Sequence, residues 1–140
     1  MNPQEKDKEI INFLNKYEDA TKIITFGYYT EEGILPISIV NKSFANMERH
    51  DCIVDAIAIN HKEFSDMFCH WGKNVFDISI KIPCDRKPIG SLWSAEIYIS
   101  DKVPKDTFLL FDTKNGYVTR NIIFYNYITS GLNKCIIPQR

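Results

Sequence analysis

The chain reads as an α+β fold: a mostly antiparallel, mixed sheet with two helices packed on it. Three observations carry that reading. Several short stretches alternate apolar and polar residues with the period of two that a strand imposes, most clearly Val75 to Ile82 and Leu92 to Ser100. Two other stretches place apolar residues three and four apart behind good capping residues, the spacing of a helix that buries one face. Turn residues separate these stretches at short intervals, and the 140 residues suit a single domain over positions 1–140.

Taken in order, Asn2-Pro3-Gln4-Glu5 is a helix start, with Asn2 as cap and Pro3 at the first helical position. Ile10, Phe13, Leu14 and Tyr17 then share one face, which predicts a helix over 3–18. Thr21 to Tyr29 reads as a strand, Thr30 to Gly33 as a turn, and Ile34 to Val40 as a returning strand that Pro36 confines to a sheet edge. Asn41 to Asp51 is polar and irregular, with one helical turn around Phe44 to Met47. Ile53 to Ile59 is a strand. Asn60 opens the second helix, with Glu63 at the capping-box position, Phe64, Met67, Phe68 and Trp71 as its buried stripe, and Gly72 as its stop. In Val75 to Ile82, Phe76, Ile78, Ile80 and Ile82 oppose Asp77, Ser79 and Lys81, as in an antiparallel sheet with one open face. Pro83 to Gly90 is a loop.

Gly90 to Phe111 organises the rest. Trp93, Ala95, Ile97 and Ile99 fall on one face of a strand running from Leu92 to Ser100. Ser100 to Asp106 is a polar turn bearing Pro104, and Thr107 to Phe111 is a second, apolar strand. Burying Trp93, Ile97 and Ile99 contributes roughly 1.5–3 kcal/mol each. Asn115-Gly116 predicts a tight hairpin with positive φ at both residues, and Tyr117 to Thr129 a last strand.

The run Gly-Ser-Leu-Trp-Ser-Ala-Glu-Ile-Tyr-Ile-Ser-Asp-Lys-Val-Pro from Gly90 to Pro104 resembles a segment of tailed-phage major capsid proteins and encapsulins, the HK97-like family. Upstream, Ile57 to Phe64 is similar to that family's step from an apolar strand, through a capping Asn, into a helix. The segments come in the family's order and cover about a third of the chain. Two features depart from the pattern. Ser94 stands where the family usually carries Gly, and the family's chains are much longer. The resemblance implies a reduced relative or a small accessory protein of a virion.

Composition sets limits on partners. Seventeen basic against 18 acidic residues leave a net charge of −1, which exerts no broad pull on nucleic acid or an anionic membrane. No apolar run reaches the ~20 residues of a membrane span, and the polar stretch Met1 to Glu9 is no secretory signal. Four irregularly spaced cysteines suggest reduced thiols rather than a disulfide scaffold. His50, Cys52, Cys69, His70 and Cys84 lack the spacing of a zinc site. A nucleophilic thiol at Cys52 or Cys84, served by His50, His61 or His70, lacks any family-type signature, and His61 reads as exposed and inert. Asp51 and Asp55 flank the strand at Ile53, either as paired carboxylates for acid/base work or a hard cation or with Asp51 ending a loop and Asp55 on the solvent face, and no glycine-rich phosphate loop exists.

The expectation is therefore a non-enzymatic protein with no cofactor and no metal, acting on other protein subunits, self-assembly among them. Its contacts fall on polar turns beside strong strands and on the aromatic last strand: Asp85, Arg86, Lys87, Asp101, Lys102, Tyr125 and Tyr127. On that strand Tyr117, Ile123, Tyr125 and Tyr127 form the set expected to face outward unless helices cover it. The resemblance implies a viral or prophage-derived structural role, in a virion or the host cytoplasm. A small cytoplasmic inhibitor, immunity or regulatory protein fits the same composition.

Overall fold

A computed structural model describes residues 3–16, 23–71, 77–78 and 88–126. Its elements run α1 (Pro3–Asn15), β1 (Ile24–Thr30), α2 (Ile37–Glu48), β2 (Ala56–Ile59), α3 (His61–Trp71), β3 (Asp77–Ile78), β4 (Gly90–Leu92), β5 (Ala95–Ile99), β6 (Thr107–Asp112) and β7 (Tyr117–Tyr125). The strands form one sheet in the order β1-β7-β6-β2-β5-β4-β3. It is mixed and mostly antiparallel: β1/β7 and β2/β5 pair in parallel, and the other neighbours pair antiparallel. The α+β class read from the sequence is the class observed.

The sheet is covered on both faces. Period-two geometry sends Ala56 and Ala58 to one side and Ile57 and Ile59 to the other. On the first side, Ala56, Ala58, Tyr98, Leu109 and Phe111 pack against Ile10 and Leu14 of α1. On the second, Ile57, Ile59, Ile97, Ile99, Phe108 and Leu110 pack against Ile39, Val40 and Met47 of α2 and Met67 of α3. Each large side chain buried in this way contributes roughly 1.5–3 kcal/mol.

A polar clamp fixes α1 to the sheet. The Tyr98 hydroxyl donates to an Asp7 carboxylate oxygen. Lys6 Nζ lies 3.0 Å from Glu96 Oε1 and also donates to the Asp55 carbonyl. Burial, and then the hydrogen bond and charge of Asp7, push the Tyr98 phenol well above its ordinary range, so it remains a donor.

The structure corrects several expectations. Ile34 to Val40 does not return as a strand, and no hairpin joins it to β1. Residues 37–48 form α2, so among the described residues three helices pack on the sheet rather than two. Pro36 holds the N-cap position of α2 with extended φ and ψ, where its missing N–H costs nothing. The buried residues Ile39, Val40, Ser43 and Met47 recur at helical spacing across the stretch read as irregular. The partner of β1 is instead the distant β7. The strand predicted from Ile53 begins only at Ala56, and Ile53 is 76% exposed. The stripe of α3 is in place for Met67, Phe64 and Phe68. Tyr17, Gly72 and most of Val75 to Ile82 lie outside the described residues.

The predicted strand from Leu92 to Ser100 is broken near its start. Trp93 and Ser94 form a two-residue connection between β4 and β5, and Trp93 is 43% exposed instead of buried. Its ring meets Phe44 of α2 edge-on, with centroids 5.2 Å apart. Both turn residues have positive φ, 50° at Trp93 and 72° at Ser94, which is the twist that a tight hairpin demands. The Asn115-Gly116 hairpin also forms, but as a four-residue loop in which Gly116 has φ +75° and Asn115 is not left-handed.

Replacing Ser94 with glycine removes the left-handed penalty without losing a buried contact. Ser94→Gly should raise stability by about 1 kcal/mol in urea unfolding, and Ser94→Val should lower it.

Candidate functional site

Two groups of side chains lie where sequence reasoning looked for function, and a third lies at a sheet edge that it passed over. The first surrounds the N-terminus of α3, beyond the carboxyl ends of the parallel strands β2 and β5. Asn60 caps the helix: its Oδ1 accepts the Lys62 N–H at 2.9 Å, and its Nδ2 donates to the Val103 carbonyl at 2.8 Å. The Glu63 carboxylate turns to Lys62 Nζ at 3.1 Å and accepts from the Tyr125 hydroxyl at 3.4 Å. Glu63 is fully buried, and its Oε1 has no hydrogen-bond partner among the described residues. Lys62 serves three carboxylates, with Asp66 Oδ2 and Asp106 Oδ1 each at 3.6 Å, and its ammonium sits 4.7 Å from the Tyr125 ring centroid. His61 Nδ1 lies 2.8 Å from Asp101 Oδ1, so His61 is exposed but partnered.

The first turn of α3 thereby brings two of the expected contact residues, Asp101 and Tyr125, to one end of the molecule. Lys102 points the other way and donates to Asn15 Oδ1 of α1. Asp85, Arg86, Lys87 and Tyr127 lie outside the described residues.

The second group lies in the loops before β2 and after β6. Asp55 does not join Asp51 as a carboxylate pair. Asp55 accepts from the Thr113 N–H at 3.2 Å and from the Thr113 hydroxyl. Asp112 accepts from the Ile53 N–H at 3.0 Å and from Asn115 Nδ2 at 2.8 Å. Burial favours protonation of Asp112. The side chain of Asn115 and the N–H groups of Ile53, Asn115 and Lys114 outweigh it and hold the carboxyl below its ordinary value. These carboxylates pin loops. Nearby, the buried Cys52 thiol is pushed up by burial and then by Asp112 and Asp51, opposite to an activated nucleophile. Its Sγ faces the His50 carbonyl at 3.5 Å, while the His50 ring meets the Asn46 carbonyl. Cys69 is exposed, and Cys84 lies outside the described residues. Among the described residues no group of three His, Cys, Asp or Glu side chains is placed to hold a metal ion, and no helix is long and apolar enough to cross a membrane.

The third group is the outer edge of the sheet. Among the described residues β1 pairs only with β7, and its other flank is the edge of the sheet. Its sequence, Ile-Thr-Phe-Gly-Tyr-Tyr-Thr, contains no charge and no proline. Natural edges are commonly guarded by such residues. Tyr29 is 63% exposed, Phe124 of β7 57% and Ile24 45%. Tyr29 and Phe124 are register partners, so they stand side by side on the α1 face, where α1 does not reach them. Gly27 makes room for this arrangement, since a Cβ there would meet Phe124 Cε2 at 3.0 Å. On the inner face, Asn46 Nδ2 of α2 donates to the Tyr28 hydroxyl at 2.7 Å.

Of the β7 set that faces outward unless helices cover it, Ile123 is 2% exposed and belongs to the core, whereas Phe124 of the other set is outside. Tyr117 is exposed as expected, and Tyr125 is half-buried against α3. The residues missed were Ile24, Tyr29 and Phe124. The one available signal was the uncharged stretch from Ile24 to Thr30.

Comparison with protein-family models, curated proteins and solved structures gave no match.

Two stability measurements check this reading. Lys62→Met leaves a buried carboxylate without its cation and should cost about 3 kcal/mol, part of which Lys62→Met/Glu63→Gln should recover. Because the folded Asp112 carboxyl titrates below its unfolded value near 3.9, the stability it supplies is present above that pH and lost as pH falls through the folded value. Asp112→Asn should flatten that part of the acid limb in denaturation followed against pH.

Proposed function

We propose that this protein is a non-enzymatic structural component that works through protein–protein contacts at the β1–β7 edge. The observation that carries the reading is that edge: a seven-residue strand without charge or proline, beside the exposed Tyr29–Phe124 pair. Apolar and aromatic side chains gathered along a sheet edge are suited to another protein chain and poorly suited to bare exposure. The near balance of charge fits protein partners better than nucleic acid or a membrane surface.

The resemblance to HK97-like coat proteins gives this role a setting, a virion or prophage-derived particle or the host cytoplasm in which it assembles. Two features support it. The resembling segments, Ile57 to Phe64 and Gly90 to Phe111, supply adjoining parts of the sheet and α3. Ser94, where that family usually carries Gly, has φ 72°.

A second reading, a small inhibitor, immunity or regulatory protein, is favoured by the surface around the N-terminus of α3. There Asp66, Asp101 and Asp106 leave carboxylates partly or largely in solvent around His61 and Lys62, a surface suited to a basic partner.

Light scattering after size exclusion, followed by electron microscopy, separates the two. The structural role predicts species of many copies that disperse in Phe124→Glu. A 16.3 kDa monomer at every concentration, unaltered by Phe124→Glu, would falsify it.

A further inference from the structure

A cavity of about 550 Å³ lies between α1 and the β5–β6 turn, away from the β1 edge, and is bounded throughout by described residues. Its size falls within the roughly 300–1,000 Å³ of small-molecule sites. The helix builds one wall. Asp7, Ile11 and Leu14 follow one another at i, i+4 and i+7, with Lys8 and Asn15 beside them, so one face of α1 presents both apolar and polar groups. Ser100 and Lys102 close the other side.

The hydrogen bonds already made around this cavity show what is left to bind. One Asp7 oxygen accepts from the Tyr98 hydroxyl, and Asn15 Oδ1 accepts from Lys102 Nζ. Ser100 Oγ accepts the Lys102 N–H at 3.2 Å, which fixes the hydroxyl in place. Ser100 is 1% exposed, yet its own hydrogen has no acceptor among the described residues. The amide hydrogens of Asn15 and the exposed Lys8 ammonium are likewise without a partner among the described residues, and Lys102 has two N–H bonds beyond the one to Asn15. The open hydrogen-bonding capacity is therefore mainly donor, and two of the donors are cationic.

We propose that this cavity binds a small aliphatic monocarboxylate. Its carboxylate lies among Lys8, Lys102 and the Ser100 hydroxyl, and its hydrocarbon lies on Ile11 and Leu14. The Asp7 carboxylate and the last turn of α1, the negative end of its dipole, disfavour a second anionic group, so dianions are rejected.

The test is calorimetric titration of the full chain with hexanoate, hexanol, hexylamine and inorganic phosphate, with the methyl signals of Ile11 and Leu14 followed by NMR. Hexanoate should bind with a dissociation constant on the order of 1 mM, move those signals, and bind more weakly as salt is raised. The other three probes should each bind about ten-fold more weakly or not at all. Lys8→Met should weaken hexanoate about ten-fold, and Ser100→Ala about three-fold. Circular dichroism confirms that each variant is folded, and Lys8→Met, which breaks no bond within the described residues, decides the matter if Ser100→Ala unfolds. Hexanol or hexylamine bound as well as hexanoate would reduce the cavity to an apolar groove, and phosphate bound as well would make it an unselective anion site. Either result overturns the proposal, as does hexanoate that fails to bind or binds Lys8→Met as tightly as wild type.

Discussion

Everything in this fold is arranged around a strand of four residues that has no free side. Ala56 to Ile59 bonds to β5 along one flank and to β6 along the other, and all four side chains are buried. A strand in that position needs cover above and below. The alternation of small and large residues shapes the cover. Ala56 and Ala58 leave a shallow floor on which α1 sits close, close enough for Tyr98 to reach Asp7. Ile57 and Ile59 fill the deeper layer under α2 and α3.

The same constraint explains where charge is spent. Because the sheet is roofed on both sides, polar groups at its ends must find partners inside the molecule or suffer desolvation. Asn60 divides its amide between a helix N-terminus and the β5–β6 turn. Asp55 and Asp112 bind the loops at the other end. Lys62 lies between solvent and the buried Glu63, holding a carboxylate that its surroundings would not otherwise tolerate. Side chains that look like candidates for catalysis in the sequence are thus largely committed to holding elements in place. Uncommitted apolar surface lies at the rim, where among the described residues β1 is bonded on a single flank and the helices stop short of Tyr29 and Phe124.

Some of this was legible in the residues, because it depends on neighbours a few positions apart. The α+β class, α1 with its Ile10/Leu14 stripe, the Asn60 cap, the apolar run of β6 and the hairpin at Gly116 all follow from spacing, capping and turn chemistry. The absence of charge and proline from Ile24 to Thr30 was equally visible, and it is what makes that strand a vulnerable edge. Other features turned on distant partners. Ile37, Ile39 and Val40 are β-branched and apolar and suit either a strand or a helix; the place of Ile39 and Val40 in one core with Ile57, Ile97 and Ile123 decided for α2. β7 has apolar residues at both parities, so only the opposing helices determined that Ile123 turns in and Phe124 out. Trp93 reads as core by its chemistry, yet the antiparallel return of β4 onto β5 needs a two-residue turn there, and backbone closure overrode hydrophobicity. By itself, then, the sequence determined which elements exist wherever local pattern and capping agree. The order of the strands, the parallel union of β1 with β7, and hence the edge left exposed were decided only in the tertiary structure, since they depend on contacts between residues nearly a hundred positions apart.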